Sequence, residues 1–290
     1  MSINRSVDSL KAFMAGLERT DSTHRVMPGV MVVGAGKGGV GTSVVSILLA
    51  LEASRRGERV LLVDADESVG SLHMMLGIID PGPGLGSLRG GLIEPEQLLH
   101  HIAPGLSLFP GGGGGVDATL SNAAGERRAL LRRVSGLYES FTTVVVDGGS
   151  RLDSVMAACS VGAERLVCVT TSERISLAAS YAMFKVMRAR YETLPVELIV
   201  NGVDERKGRN LHAIVRAATQ TFLGTDVRFG GAIPRDDELE ATLQAGISLA
   251  QLDGFSPAPL AVAGVVSRVL SERSASAGGS NPAISLLPEL

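Results

Sequence analysis

Val30-Met31-Val32-Val33, then Gly36-Lys37-Gly38-Gly39-Val40-Gly41-Thr42-Ser43, then Val44, Val45, Ile47, Leu48 and Leu51 decide the fold. A short apolar run meets a glycine-rich turn, and the turn opens into a pattern of helical period. Glycines let backbone N–H groups turn inward around phosphates, and the helix N-terminus behind them adds positive potential. A phosphate-binding loop of the G-x-x-x-x-G-K-[ST] type carries lysine next to last. Here Thr42 stands at that position, while Ser43 keeps the hydroxyl that such loops offer to Mg²⁺.

Outward from the loop the same grammar continues. Further strand-like runs lie at Val60–Val63, Leu106–Phe109, Val144–Val146, Leu166–Val169, Val196–Val200 and Val227–Ile233. Helical stretches separate most of them, at 129–138, 151–160, 174–190, 210–222 and 236–245. The runs are continuous rather than alternating, as expected of strands covered on both faces. The fold class that follows is α/β: a doubly wound, mostly parallel sheet with helices on both faces and ligands at the carboxyl ends of the strands. Two regions interrupt the pattern. Pro81–Gly86 reads as a loop leading to a short acidic helix around Glu94–His101, and Pro110 precedes five glycines, 111–115. A last helix is expected at Leu260–Leu270. The organisation predicted is a helical arm over 1–28, one domain over 29–272 and a disordered tail over 273–290.

Composition narrows the function classes. The 290 residues carry 27 Lys+Arg against 30 Asp+Glu, a net charge of −3, which argues against a protein that coats nucleic acid. Hydrophobic residues at 45% exclude global disorder. Aromatics at 3% with no Trp require an aliphatic core. Cys159 and Cys168 cannot form a disulfide framework; a reducing compartment fits, and both read as buried small hydrophobes. The five histidines show no zinc spacing, and no apolar run approaches the roughly 18 residues of a membrane span.

Lysine directly after the first glycine of the loop resembles the deviant phosphate loop of the MinD/ParA ATPases, and the likeness runs in order over 29–250. Val63-Asp64-Ala65-Asp66 with Leu76-Gly77 is similar to that family's DAD…LG stretch, and Val144–Asp147 to its magnesium-associated strand end. Val169–Glu173 resembles its TTPE turn, Val200-Asn201 its VN step, and Ile233-Pro234-Arg235-Asp236 its IPxD segment. Leu106–Gly112 and, loosely, Val7–Lys11 look like the flagellar-number regulator branch, FlhG/FleN.

The resemblance implies ATP with Mg²⁺, Lys37 reaching a partner's nucleotide in an ATP-dependent homodimer, and Asp66 orienting the attacking water. It also implies Ser43, Asp64 and Asp147 at the metal, the loop 36–43 at the phosphates, and Asn201, Pro234 and Arg235 at the adenine. Partners implied by the branch are a flagellar signal-recognition-type GTPase and transcription or basal-body proteins, in a cytoplasmic protein with peripheral contact at the inner membrane. Against a lipid-docking end, the last helix has only Arg268 and Arg273 as nearby basic residues, and packing on the domain is preferred.

Two departures bear on activity. Thr42 carries no charge, and Gly148-Gly149-Ser150-Arg151 replaces the small-Ala-Gly segment that senses the γ-phosphate in the family. Weak nucleotide binding with slow hydrolysis is the preferred reading. Full ATPase activity with Lys37 substituting in a dimer, a nucleotide-insensitive scaffold, and a ParA-type partitioning or secretion-system localisation ATPase are the alternatives.

Overall fold

The computed structural model describes residues 26–67, 70–112 and 124–278. The expected N-terminal arm lies outside the described residues apart from 26–28, as do Gly113, Gly114 and Gly115. Eight strands form one sheet: β1 (Val30–Gly34), β2 (Val60–Asp64), β3 (His100–Ala103), β4 (Leu106–Phe109), β5 (Thr143–Asp147), β6 (Arg165–Thr170), β7 (Val196–Asn201) and β8 (Arg228–Ile233). Their order across the sheet is β3-β4-β2-β5-β1-β6-β7-β8. All neighbours run parallel except the edge pair β3–β4. The helices are α1 (Thr42–Arg55), α2 (Leu72–Met75), α3 (Ala124–Val134), α4 (Leu152–Cys159), α5 (Arg174–Arg190), α6 (Glu205–Leu223), α7 (Asp237–Gln244) and α8 (Pro257–Gly278).

Both faces of the sheet are covered, which explains the continuous apolar runs. Side chains alternate across a strand, so each run divides between two cores. Val30, Val32, Leu61, Val63, Val144 and Val146 pack with Leu130, Leu131, Met183 and Phe184 from α3 and α5. Met31, Val33, Val60, Leu62 and Val145 pack with Ile47, Leu48 and Leu49 of α1 and Val262, Val265 and Val266 of α8. All five residues of β1, β2 and β5 are buried.

Several boundaries differ from the sequence expectation. No helix spans Glu94–His101: a 3-10 turn covers Pro95–Leu98, and His100-His101 begin β3. Gly105, at φ 78°, reverses the chain so that β3 can pair antiparallel with β4, and this pairing outweighs the local helical pattern. Helix α6 starts five residues before the expected 210, because the Asp204 side chain accepts from Lys207 N–H at 2.8 Å and caps it. Helix α8 runs on to Gly278, so residues 273–278 are helical rather than the start of a disordered tail.

The apolar face of α8 is core. Its basic residues also bond internally: Arg268 Nη2 to Glu197 Oε2 at 2.7 Å, and Arg273 Nη1 to Thr143 Oγ1 at 2.9 Å. Among the described residues, no helix is long and apolar enough to cross a membrane.

Glu197 on β7 is fully buried and sits between Arg268 and Arg165, the latter at 2.7 Å; Arg165 also meets Glu164 and Glu272. Removing one member of a buried pair strands a charge at a cost of about 3–5 kcal/mol. Glu197→Ala is therefore expected to lower the unfolding free energy in urea by about 3 kcal/mol. Arg216→Ala, which breaks an exposed pair with Asp226, leaves the denaturation midpoint where it is.

Candidate phosphate-binding site

The carboxyl ends of β1, β2 and β5 meet at one level. Val33 is in register with Asp147, and Asp147 with Asp64, so the glycine loop leaving β1 passes directly over two carboxylates. Gly39 (φ 77°) and Gly41 (φ 89°) hold the left-handed backbone conformation that side-chain-bearing residues rarely adopt. Gly36 lies against the backbone of α5, where an added Cβ would collide with the Ala179 carbonyl. Gly41 caps α1, and Thr42 is its first residue, buried, with its carbonyl accepting from Ser46 Oγ at 3.0 Å. No charged group stands at the position where such loops carry lysine.

Asp64 accepts backbone N–H bonds from Asp66 at 3.0 Å, Ser71 at 3.1 Å and Leu72 at 3.3 Å. Burial and then the Asp147 charge push its pKa up to about 7, against the pull of those backbone donors. Asp147 is also raised, first by burial, although hydroxyls of Ser43 and Ser46 and the Gly149 N–H favour its charged form. Two buried carboxylates side by side, with a serine hydroxyl on one of them, form a donor set that fits a divalent cation. Among the described residues no cluster of three or more His, Cys, Asp or Glu could hold a metal. A Mg²⁺ ion needs only one or two carboxylates when phosphates and waters complete its shell.

The other residues singled out from the sequence fall around this centre. Lys37 reaches out of the loop to Glu173 Oε2 at 3.1 Å, with both side chains more than a third exposed. Asn201, at the end of β7, donates from Nδ2 to the Val40 carbonyl at 2.9 Å and so braces the loop from below. Pro234 and the exposed Arg235 follow the end of β8, in register beside Asn201. Asp66 is half-buried, one turn of chain beyond Asp64. Cys159 and Cys168 are buried and their thiols are raised by burial, as expected of core residues.

An ion network beside Asp66 escaped the sequence reading. Glu67 is buried and pairs with Arg89 at 2.6 Å and Arg127 at 3.5 Å; Arg127 also binds Asp153 at 2.7 Å, and Arg151 binds Asp153 at 3.3 Å. These partners are contributed by four separate segments, and no local spacing announces them. The one available signal was an acid, Glu67, directly after the DAD stretch.

Comparison with known proteins agrees with this geometry. A model of the CobQ/CobB/MinD/ParA nucleotide binding domain matches residues 31–249. The chain is 26% identical over 254 residues to the antiactivator FleN of Pseudomonas aeruginosa, covering 87% of this chain and 89% of that relative. It is 28% identical over 214 residues to the flagellum site-determining protein YlxH of Helicobacter pylori, covering 72% and 71%. The fold superposes with TM-score 0.68, at 20% identity, on the septum site-determining protein MinD of Pyrococcus horikoshii complexed with Mg-ADP, covering 88% of this chain and all of that one. With a loop, strand order and two carboxylates arranged for phosphate and cation, and with a family model spanning most of its length, the chain belongs to the CobQ/CobB/MinD/ParA nucleotide-binding family.

Proposed function

We propose that the protein is an ATP- and Mg²⁺-dependent switch that regulates flagellar number or placement, dimerises when ATP-loaded and hydrolyses ATP slowly. The observation that carries this reading is the pair Asp64–Asp147 buried under a phosphate loop of intact backbone, in a chain similar to FleN and YlxH over most of all three lengths. Loop amides of residues 36–43 bind the phosphates, Ser43 and Asp147 hold the metal, and Asp64 stands behind them. Bound Mg²⁺ supplies the charge that offsets phosphate and carboxylates together. Asp66 orients a water for attack. Asn201, with Pro234 and Arg235 beyond it, faces the base.

Lys37 supports the switch. Its ion pair with Glu173 is solvent-exposed, and such pairs contribute at most about 1 kcal/mol. The lysine can therefore leave Glu173 at little cost and meet the nucleotide of a second copy. Thr42 supports slow chemistry, because an uncharged hydroxyl cannot offset charge developing on the terminal phosphates. The same residue favours the second reading, a scaffold that has given up nucleotide. A DNA-coating partition ATPase is less well supported. On the basic helix α6, Arg209 is paired with Glu205 at 2.7 Å and Arg216 with Asp226 at 2.6 Å.

Calorimetric titration with ATP and ADP, with and without Mg²⁺, tests the reading. ATP is expected to bind in a Mg²⁺-dependent manner, and sedimentation is expected to shift to a dimer with ATP. Lys37→Ala should still bind ATP but remain monomeric. Absence of binding by either nucleotide would leave only the scaffold.

The raised Asp64 pKa has a consequence of definite sign. Its folded value of about 7 lies above the ordinary 3.8, so the folded state holds the proton more tightly than the unfolded chain. Stability from this group is fully present below about 4 and is lost as pH rises towards about 7. The melting temperature of the nucleotide-free protein in a chelator should fall across that window, and the fall should be shallower in Asp64→Ala. An equal slope in the two proteins would contradict the assignment.

A further inference from the structure

Thr42 carries no charge where such loops carry lysine, and Arg151 stands on a segment that abuts the loop. The segment 148–151 is tied to the loop strand at several points. Gly148 N–H donates to the Val33 carbonyl at 2.8 Å, and Ala35 N–H donates to the Gly149 carbonyl at 2.9 Å. Ser150 Oγ lies 3.4 Å from where a Cβ on Gly38 would stand, so Ser150 abuts the phosphate loop itself. Arg151 is the next residue. It is the N-cap of α4, in extended conformation.

The guanidinium of Arg151 is held loosely. Its bonds to Asp153 are long, 3.4 Å from Nε and 3.3 Å from Nη2, and about half of its side chain is exposed (52%). Asp153 has a shorter bond, 2.7 Å, to the buried Arg127. If Arg151 swings away, Asp153 therefore keeps a partner and no buried carboxylate is stranded. Arg151 also lies within the electrostatic reach of Asp66 and Glu67, which raise its pKa together with Asp153. Glu67 is already matched by Arg89 and Arg127.

We infer that Arg151 is the phosphate-binding cation of this chain, standing in from the segment after β5 for the lysine that Thr42 has displaced from the loop. A planar guanidinium can bind two phosphate oxygens at once, which suits it to the terminal phosphates of a nucleoside triphosphate. The inference rests on the nucleotide-binding reading above and specifies how that binding is achieved without the loop lysine. It also accounts for the joint departure of two positions, since a cation lost at 42 and a cation gained at 151 compensate each other.

Titration of Mg²⁺-ATP into wild type, Arg151→Ala, Arg151→Gln, Thr42→Lys and the double variant Thr42→Lys/Arg151→Ala decides the matter, with melting temperatures of the nucleotide-free proteins as the fold control. Arg151→Gln keeps a donor for Asp153 and loses only the charge, so it remains informative if the alanine variant misfolds. Either single replacement of Arg151 is expected to weaken binding tenfold or more without moving the melting temperature. Thr42→Lys placed in the Arg151→Ala background is expected to restore affinity to within about threefold of wild type. Unchanged binding in Arg151→Gln overturns the inference, as does a loss that Thr42→Lys fails to repair, which would mark Arg151 as a structural partner of Asp153. A wild type that binds no nucleotide removes the proposed function itself, and the inference with it.

Discussion

The parallel, in-register pairing of β2, β5 and β1 is the constraint on which the rest depends. It brings Asp64, Asp147 and Val33, from which the loop departs, to the same level of the sheet. Everything at the site hangs from that level: the glycine loop above it, Asp66 and Glu67 leaving β2, and 148–151 leaving β5. A slip of one residue would turn the carboxylates to the opposite face. The slip is prevented by the two cores, because the apolar side chains of these three strands are already committed alternately to one face or the other.

Two kinds of buried charge coexist in the molecule, and the contrast separates scaffold from site. Glu197 is buried with two arginines at 2.7 Å, and the cluster clamps α8 and β6 to β7. Asp64 and Asp147 are buried with no ion pair among the described residues, and burial raises both pKa values. A fold that can match a buried carboxylate in one place and leaves two unmatched in another keeps an unmet electrostatic demand at the second. A divalent cation with phosphates meets it, which is the chemistry expected of this family.

The segments that border the site are joined to each other by ion pairs. Arg127 bridges Glu67, after β2, to Asp153, on α4, while Arg89 holds Glu67 from the chain following Gly84. The chain after β2 and the start of α4 after β5 are thus linked through one arginine. Arg127 Nε is buried without a hydrogen-bond partner among the described residues, so the network is not fully satisfied in this state.

Much of the fold was legible in the chain itself. The strand runs, the glycine loop and most helices depend on local pattern, and local pattern is what sequence carries. That residues 36–43, 64 and 147 would converge was legible for the same reason: each ends or follows an apolar run, and strand ends of a doubly wound sheet converge. The helix expected at Glu94–His101 was lost to the strand pairing of His100 with Leu108, an energy absent until β4 is in place. The membrane question for α8 likewise depended on what its valines and arginines touch, which only packing reveals. The sequence alone determined that a glycine-rich loop follows the first strand, that two other apolar runs end in aspartate, and that Thr42 stands where such loops usually carry lysine. Only the tertiary structure decided that Asn201 braces the loop, that Lys37 rests on Glu173, and that Ser150 abuts Gly38. Those partners are 161, 136 and about 110 residues apart along the chain, and contacts at such separations are set by the sheet and not by any local preference.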